Sequence, residues 1–372
     1  MRAARLHAIG EPLTIDVISR PSPGPSDVIV QVQACGVVPN LSNVLANLRK
    51  KAPHLCLPEL PAIFGLDAAG VIVEKGPQAH GANLGDRVYV NPARYCGACR
   101  SCRTGNPTAC RFYTFNGYFG FSSVSRKMYE DYPYGGLCEY MTAPQYSLVQ
   151  LPECLSFEAA ARWGYLGTGY AALRRAAAGS GTTVLVNGAS GTLGLGVVLF
   201  ALALGVPKVL AVGRDARLLE QVRAVAPERI VAHSSESAMS VADWARSETE
   251  GIGADLVIDA LPSGASAQAF LAAFAALSRG GRHVNIGGTR EVPVNVFRMM
   301  SDHQSMIGSL WFTTAQAQEM ADLAATHSVR LDVLEHRRFA LEQVNDALAG
   351  LEQRRGGFSN HVVCPQAGGS TS

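Results

Sequence analysis

The sequence predicts an α/β protein of two domains, in which a β-rich domain precedes a doubly wound parallel sheet. Three observations carry this prediction. The chain has 372 residues, 48% of them hydrophobic and 17% charged, a composition typical of a globular protein with room for two domains. Roughly the first 150 residues are rich in strand-like patterns, glycine and proline. From about residue 180, strand-like and helical runs alternate, as they do in parallel sheets.

Charge and hydropathy argue against several other classes of protein. The net charge is +2 with acids and bases intermixed, so we expect no nucleic-acid partner. The opening residues lack a long apolar run, and we expect no secretory signal. The run TLGLGVVLFALALG is too short to span a membrane. The cysteine count, nine, is odd, which favours a reducing cytoplasm.

The first predicted domain covers residues 1–160. Three stretches have strand patterns and no long helical pattern interrupts them: DVIVQVQACGV, DAAGVIVEKG and GDRVYVNP. A cysteine-rich lobe at about residues 91–115 forms an excursion from this domain. The stretch LSFEAAARWGYLGTGYAALRRAAAG then changes to helical spacing.

The second predicted domain covers residues 161–315, and its near-continuous apolar strands indicate a sheet covered on both faces. SMIGSLWF is interpreted as its last strand. Residues 316–366 form a closing segment. The helical run TAQAQEMADLAATH begins two residues before it, and FALEQVNDALAGLEQ lies within it. The small, polar tail, residues 367–372, is predicted to be disordered.

Four cysteines at short spacing form the strongest motif in the chain. In YCGACRSCRTGNPTAC they are Cys96, Cys99, Cys102 and Cys110. Four thiolates close a tetrahedral shell around zinc and leave no position for substrate, so we predict a structural zinc. The alternative is a loop with free cysteines or disulfides.

A glycine loop separates the first strand and first helix of the predicted parallel sheet. It reads VLVNGASGTLG, with glycines three residues apart and alanine where the stricter fingerprint has its first glycine. Such a loop lets backbone amides and a helix N-terminus hold a diphosphate. The alternative is a glycine-rich turn without a nucleotide. The predicted cofactor-binding residues of the loop are Gly188, Ala189, Ser190, Gly191, Thr192, Leu193 and Gly194.

The next strand ends in LAVGRDAR, where NAD-binding folds place an acid that holds the ribose 2′-hydroxyl. Here Gly213 leaves room for a 2′-phosphate, and Arg214 can clasp it, with help from Arg217. This predicts NADP(H). Arg214 could instead be a solvated surface side chain, and Asp215 a helix N-cap. We also expect cofactor contacts from Thr168, Ile286 and Gly287.

The order of these segments resembles the zinc-containing alcohol dehydrogenase group of the medium-chain dehydrogenase/reductase family. The resemblance covers nearly the whole chain and is carried by the lobe and by the stretches VQACGV, DAAGVIVEKG, GDRVYV, GGLCEYMTAP and GTGYAAL. It implies a GroES-like catalytic domain, a Rossmann domain and an active site in the cleft between them. It also implies that the C-terminal segment returns to the catalytic domain.

The chain departs from that family at its catalytic zinc ligands. The three ligand positions fall at Val38, at Leu66, and at or beside Gly164, and none of these residues has a donor atom for zinc. Pro39 and the GASG loop resemble the zinc-free quinone oxidoreductase branch, which lacks the cysteine lobe. The family's usual arginine or lysine near the last strand falls at Asn360, so that diphosphate contact is missing.

Three residues are candidates for the remaining proton chemistry. Asp67 would lie in the vacated metal pocket, where desolvation raises a carboxyl pKa, or it could be a purely structural acid. Tyr165, interpreted as lying on a turn that faces the cleft, could donate a proton or be a buried aromatic in the domain seam. Asn40 occupies the family's relay position and could hydrogen-bond a carbonyl.

We therefore expect an NADPH-dependent reductase of a small apolar substrate with a conjugated C=C, a carbonyl or an imine. The alternatives are a metal-free alcohol dehydrogenase acting oxidatively and an NADPH-binding protein without catalysis. The resemblance also implies that the last sheet strand pairs across a homodimer or within a homotetramer.

Overall fold

The structure is a computed structural model that describes residues 1–354 and 356–367. Of the tail predicted to be disordered, residues 368–372 lie outside the described residues. Among the described helices, none has both the length and the apolar character required to cross a membrane.

The N-terminal half is built from short strands around a mixed sheet. Its strands are β1 Arg2–Leu6, β2 Thr14–Val17, β3 Asp27–Gly36, β4 Ala62–Ile63, β5 Asp67–Lys75, β6 Arg87–Val90, β7 Ala93–Arg94, β8 Thr114–Phe115, β9 Tyr140–Pro144 and β10 Leu148–Gln150. The long strand β3 pairs antiparallel with both β5 and β9. Its side chains are largely buried, which explains its apolar sequence.

The helices of this half are α1 Leu41–Lys51, α2 Arg100–Arg103, α3 Arg126–Asp131 and α4 Phe157–Ala160. Helix α1 was not predicted, because we expected no long helix among these strands. Its first five residues bury Leu41, Val44 and Leu45, a helical spacing that forms only a narrow apolar stripe. Packing on the β-domain stabilises such a helix more than its own propensity does, and the sequence pattern therefore gave little signal.

The second half contains the predicted doubly wound sheet. Its strands are β11 Thr183–Asn187, β12 Lys208–Gly213, β13 Ile230–Ser234, β14 Ala254–Asp259, β15 Leu277–Asn285 and β16 Ser305–Gly308. All pairings are parallel, in the order β13-β12-β11-β14-β15-β16, which confirms the predicted fold class. The helices are α5 Trp163–Arg175, α6 Thr192–Ala203, α7 Ala216–Ala224, α8 Val241–Ser247, α9 Ala267–Phe274 and α10 Val296–Ser301.

The helical stretch between the two halves divides into α4 and α5. Arg162 separates them with non-helical backbone angles (φ −115°, ψ 1°) and acts as the N-cap residue of α5. Tyr165, expected on a turn, therefore lies in the first turn of helix α5. The final predicted strand is also shorter than expected, because β16 ends at Gly308 and Trp311 adopts a left-handed backbone (φ 63°).

The chain then returns to the first sheet. The elements that follow β16 are α11 Thr314–Ala325, β17 Glu335–Ala340, α12 Val344–Ala349 and β18 Ser359–Cys364. Strand β18 pairs parallel with β17 and antiparallel with β3, so the last strand belongs to the N-terminal sheet. The residues just before β18 consequently cross the boundary between the halves: the Gly357 N–H donates to the Ser190 carbonyl at 2.7 Å.

Candidate active site and structural metal site

The four predicted zinc ligands converge. Their Sγ atoms all lie within 4.8 Å of one another, and the Cys99–Cys102 and Cys96–Cys110 Sγ pairs are each 3.6 Å apart. A tetrahedral zinc with bonds of about 2.3 Å would place its sulfurs about 3.8 Å apart. None of the nine cysteines forms a disulfide. The spacing fits a Zn(Cys)4 centre better than the disulfide alternative, whose sulfurs would lie about 2.05 Å apart.

The surroundings of the four thiols differ. Backbone N–H groups of Ala98 and Cys99 lower the pKa of the Cys96 thiol to about 6, and the backbone of Cys102 lowers the pKa of Cys99, which favours the thiolate that binds zinc. Burial raises the pKa of Cys102 and of Cys110. Within residues 96–109 no side chain is buried, and helix α2 buries nothing. Residues 96–109 therefore have no apolar core of their own, and a metal would supply the missing cross-link.

The glycine loop has the close contacts that a diphosphate-binding turn requires. Gly188 has φ +85°, and an added Cβ at Gly194 would lie 2.1 Å from the Gly188 carbonyl oxygen. Gly191 precedes helix α6, whose first N–H groups have no acceptor within the helix. These observations fit a bound dinucleotide phosphate at this loop.

The end of strand β12 lacks an acid for the ribose. The Asp215 carboxylate accepts hydrogen bonds from the N–H groups of Arg217 and Leu218, so it caps helix α7 as the alternative interpretation suggested. The side chains of Arg214 and Arg217 are exposed, and neither forms an ion pair with a described residue. Gly213 itself is buried, with Ser190 beside it. The strand end therefore carries two available cations next to the glycine loop.

The three remaining predicted cofactor contacts, Thr168, Ile286 and Gly287, lie in two different places. Ile286 and Gly287 follow strand β15, and an added Cβ at Gly287 would lie 2.5 Å from the Leu261 carbonyl oxygen. They therefore belong to the same carboxyl edge of the sheet as the glycine loop. Thr168 is buried in α5, where its hydroxyl donates to the Gly164 carbonyl at 2.7 Å. Its role toward a cofactor stays a prediction.

Around Gly164, where the resemblance places one catalytic zinc ligand, other side chains fill the space. Val38 and Leu66 are buried hydrophobic side chains. An added Cβ at Gly164 would lie 2.5 Å from Asp67 Oδ2 and 2.7 Å from Trp311 Cη2. A cysteine at position 164 would therefore collide with the Asp67 carboxyl and the Trp311 ring.

Trp311 is held firmly in that space. Its indole Nε1–H donates to Asn91 Oδ1 at 3.1 Å, and its ring packs on Phe312 and Phe115 with centroid distances of 4.7 and 4.6 Å. A left-handed backbone at a bulky residue is unfavourable and persists only where the surroundings enforce it. The contacts of Trp311 thus fix an aromatic wall beside Gly164.

Asp67 begins strand β5 and is 1% exposed. Its Oδ1 accepts hydrogen bonds from the Tyr89 hydroxyl at 2.8 Å and the Gly164 N–H at 2.9 Å. Burial raises the pKa of this carboxyl to about 7, and the two hydrogen bonds oppose that rise. Both contacts come from the protein interior. This geometry favours the alternative that Asp67 is a purely structural acid.

Tyr165 and Asn40 lie together at a more open position. Asn40 is exposed immediately before helix α1, and Tyr165 is partly exposed. The Asn40 backbone N–H faces the Tyr165 hydroxyl, and the Asn40 side chain faces the hydroxyl of Tyr118. Burial and the Asp67 charge raise the Tyr165 pKa, so its hydroxyl stays protonated at neutral pH. A protonated hydroxyl can donate to a substrate oxygen.

Several relevant residues were missed by sequence reasoning. Trp311 had been assigned to a strand, and its position in the pocket depends on a turn after β16. Arg162 and Arg354 lie beside the glycine loop, where Arg354 Nη1 donates to Thr192 Oγ1 at 3.1 Å and Arg162 donates to the Gly357 carbonyl. The RRGG run at 354–357 was a signal, because glycines next to arginines suit a close backbone approach to a phosphate.

Comparison with known proteins agrees with this architecture. The profile of the family described as "Alcohol dehydrogenase GroES-like domain" matches residues 24–153, and that described as "Zinc-binding dehydrogenase" matches residues 192–326. An alcohol dehydrogenase of Geobacillus stearothermophilus is 31% identical over 353 residues, 93% of this chain and 94% of that protein. An NAD-dependent alcohol dehydrogenase of Sulfurisphaera tokodaii is 29% identical, covering 95% and 96%. The crystal structure of AibC matches with a TM-score of 0.82 and 27% identity, covering 98% of this chain and 95% of that one.

The fold and site define a two-domain oxidoreductase that uses a nicotinamide dinucleotide. The chain belongs to the medium-chain, zinc-type alcohol dehydrogenase-like family. The resemblance stated from its motifs is thereby confirmed. Val38, Leu66 and Gly164, the positions at which the resemblance places the catalytic zinc ligands, have no zinc donor atom.

Proposed function

We propose that this protein is an NADPH-dependent reductase that delivers hydride to an activated double bond of a small apolar substrate without a catalytic metal. The observation that carries this proposal is the pocket around Gly164. There the Trp311 ring and the Asp67 carboxyl occupy the space of a metal ligand, and neither Val38 nor Leu66 offers a donor atom. Substrate activation then depends on hydrogen bonds.

The cofactor and the residues near Tyr165 would have separate roles in the reaction. A bound nicotinamide supplies the hydride. The Tyr165 hydroxyl donates a hydrogen bond to the oxygen or nitrogen of the acceptor, gives that atom its proton as the hydride arrives, and regains a proton from solvent. Asn40 orients the hydroxyl from the neighbouring loop. The buried Asp67 carboxyl does not contact the substrate. Its charge raises the pKa of Tyr165. The reaction therefore needs a double bond that one hydrogen bond can activate.

The aromatic wall limits the substrate. Phe115, Phe119 and Trp311 pack edge to face or tilted, with centroid distances between 4.6 and 5.7 Å. Phe115 and Trp311 are buried and Phe119 is partly exposed, so a substrate that reached this cluster would meet apolar groups and few partners for a charge. This supports a small enone, ketone or imine as the acceptor.

The function is tested by titrating NADPH oxidation against matched panels of enones, ketones and imines. Turnover of one panel well above the others supports the proposal and names the bond that is reduced. Faster oxidation of alcohols with NADP⁺ than any reduction would favour the metal-free alcohol dehydrogenase. Tight NADPH binding without turnover of any panel would favour a non-catalytic binding protein.

The preference for NADPH is part of this proposal. Gly213 stands where an acid would repel a 2′-phosphate, the Asp215 carboxylate is engaged in capping, and Arg214 is exposed beside the loop. A related protein carries NAD dependence in its name, so the preference rests on these residues of this chain. A charge-assisted contact contributes about 1.5–3 kcal/mol, and the exposure of Arg214 favours the lower value.

We expect the protein to bind NADPH at least about tenfold more tightly than NADH, because 1.4 kcal/mol is a factor of ten. Arg214→Ala should weaken NADPH binding and leave NADH binding nearly unchanged, and added salt should shrink the preference. Gly213→Asp should favour NADH. The measurement is the dissociation constant of each cofactor from nicotinamide fluorescence.

The control for Gly213→Asp is Gly213→Ala, because an added Cβ there lies 3.2 Å from Ser190 Oγ and Leu219 Cδ2. The alanine variant isolates the steric effect of that Cβ from the effect of the charge. Equal affinity of the wild type for both cofactors would contradict the NADPH assignment. So would an Arg214→Ala protein that loses NADPH and NADH binding alike.

A homodimer or homotetramer also belongs to this proposal. Strand β16 is an edge of the parallel sheet, and large apolar side chains near it are exposed. They are Val296 (74%), Phe297 (70%), Met300 (65%), Met306 (39%) and Leu310 (53%). Exposed apolar side chains in the segments that flank an open strand edge favour pairing with a second copy.

We expect light scattering after size exclusion to give the mass of a dimer or tetramer for the wild type. Phe297→Asp should shift the mass toward that of the monomer, because a carboxylate would be desolvated in the interface. The control is Val17→Asp, since Val17 is 84% exposed in a different sheet. A wild-type monomer would contradict this expectation, as would a Phe297→Asp protein of unchanged mass at low concentration.

The proposal also includes a cytoplasmic location and a structural zinc at the four-cysteine cluster. The nine free thiols, four of them clustered, suit a reducing compartment. The expected partner is a small-molecule substrate, with no nucleic acid and no membrane.

A further inference from the structure

Two arginines lie at the junction between the glycine loop and the returning segment that precedes β18. Arg354 is partly buried, and its Nη1 donates to Thr192 Oγ1 at 3.1 Å while its Nε donates to the Leu351 carbonyl at 2.9 Å. Arg162 is 1% exposed and donates to the carbonyls of Gly357 and Phe358. Within the described part of the chain, neither guanidinium forms an ion pair.

The unpaired positive charges of Arg162 and Arg354 favour the binding of an anion at this junction. The Arg162 pKa falls to about 9, mainly because of burial and secondarily because of the Arg354 charge, and burial also lowers the Arg354 pKa. Arg162 Nε is buried without a hydrogen-bond partner. Two nearby cations next to the positive end of helix α6 repel one another and the helix dipole. An anion bound between them would relieve that repulsion.

The backbone around Arg354 is fixed against the loop. The Gly357 N–H donates to the Ser190 carbonyl at 2.7 Å, and an added Cβ at Gly357 would lie 2.4 Å from the Gly191 carbonyl oxygen. Gly356 has φ +55°, and an added Cβ there would lie 2.7 Å from the Ser190 carbonyl oxygen. The segment can approach the loop this closely only because both residues are glycines.

The position expected from the family resemblance cannot supply this charge. Asn360 is a short neutral side chain in strand β18, 6% exposed, and its Nδ2 has no hydrogen-bond partner. Arg354 lies six residues earlier, and its guanidinium already contacts the first residue of helix α6.

We propose that Arg354 is the side chain that contacts the diphosphate of the bound nicotinamide dinucleotide, in place of the basic residue that is missing at Asn360. The proposal rests on the proposed use of such a cofactor. Arg162 holds the returning segment through its carbonyls, so that Arg354 is presented to the glycine loop. The donor set at this point, a guanidinium and the first N–H groups of helix α6, fits the oxygens of a diphosphate.

The test compares Arg354→Gln and Arg354→Lys with the wild type and with Arg214→Gln. Dissociation constants are measured for NADPH, NADH and ADP-ribose, which keeps the diphosphate but lacks nicotinamide. Arg354→Gln should weaken all three about tenfold or more, because each carries the diphosphate. Arg354→Lys should recover much of that affinity, and Arg214→Gln should weaken NADPH alone.

Other outcomes would overturn the assignment. A loss confined to NADPH in Arg354→Gln would make Arg354 a 2′-phosphate contact. Unchanged cofactor and ADP-ribose affinities with a raised KM for substrate would assign the cation to an anionic substrate group. If wild-type protein binds NADPH or NADH tightly and Arg354→Gln binds them equally well, only this inference fails. If the wild type binds neither cofactor, the proposed function fails with it.

Discussion

We expect the purified protein to contain close to one zinc ion per chain, and we expect Cys99→Ser to lose nearly all of it. The four Sγ atoms lie within 4.8 Å of one another, and serine is a much weaker zinc ligand than a thiolate. Structural zinc in small domains contributes about 10–16 kcal/mol of apparent binding free energy at neutral pH, so losing one ligand should be decisive for this lobe.

The loss should be local, because the lobe is an excursion with no buried side chain in residues 96–109. Hydrogen exchange in the Cys99→Ser protein should therefore rise sharply across residues 96–110 and change little in the parallel sheet. Elemental analysis gives the metal content. Cys154→Ser is the matched control, since Cys154 is an exposed thiol outside the lobe. Two zincs per chain, or a Cys99→Ser protein with full metal content, would refute this assignment.

The second large effect concerns the proton donor. Tyr165→Phe should lower kcat by about 10²-fold or more with little change in cofactor affinity, because it removes only the hydroxyl that we propose donates to the substrate. Asp67→Asn should lower kcat much less. The Asp67 carboxyl is 1% exposed, and Tyr89 and Gly164 hold it from the protein interior.

Asp67→Asn should instead change the dependence of stability on pH. The pKa of this acid is raised from 3.8 to about 7 in the folded state, so its contribution to stability is full below about pH 4 and is lost as the pH rises through 7. Asparagine keeps an acceptor oxygen for both hydrogen bonds and does not ionise. We expect the variant to gain stability relative to wild type between pH 5 and pH 8, by up to about 4 kcal/mol.

Steady-state kinetics and thermal unfolding at several pH values check both variants. A large loss of kcat in Asp67→Asn with a mild effect of Tyr165→Phe would assign the proton to Asp67 instead. Near-wild-type rates in both would mean that neither residue is the donor and that water or another group serves. A pH-independent difference in stability would show that Asp67 is not a buried titrating acid.

Local sequence was sufficient for features that depend on short-range geometry. Cysteine spacing predicted the convergence of Cys96, Cys99, Cys102 and Cys110, because such turns constrain the chain within a few residues. Alternating apolar runs predicted the parallel sheet, because both of its faces must be covered. The glycine loop was predicted in the same way, since the strand before it and the helix after it are contiguous with it.

Features that depend on packing between distant segments were not predicted. Helix α1 has a narrow apolar stripe and depends on the β-domain core for its stability. Strand β13 and helix α8 were missed, because the strand mixes histidine and serine with apolar residues and so lacks a clear pattern. The placement of Tyr165 in a helix depended on Arg162, whose non-helical backbone interrupts an otherwise continuous helical pattern.

The sequence by itself determined the two-domain α/β class, the cysteine cluster, the position of the glycine loop and the absence of zinc donor atoms at Val38, Leu66 and Gly164. Each of these depends on residue chemistry or on contacts within a short stretch. Only the tertiary structure decided that the Trp311 ring lies beside Gly164, that the Gly164 N–H donates to the buried Asp67 carboxyl, and that Arg354 contacts Thr192 at the glycine loop. These contacts join residues about 100 to 160 positions apart, and local patterns carry no information about which distant side chains burial will bring together.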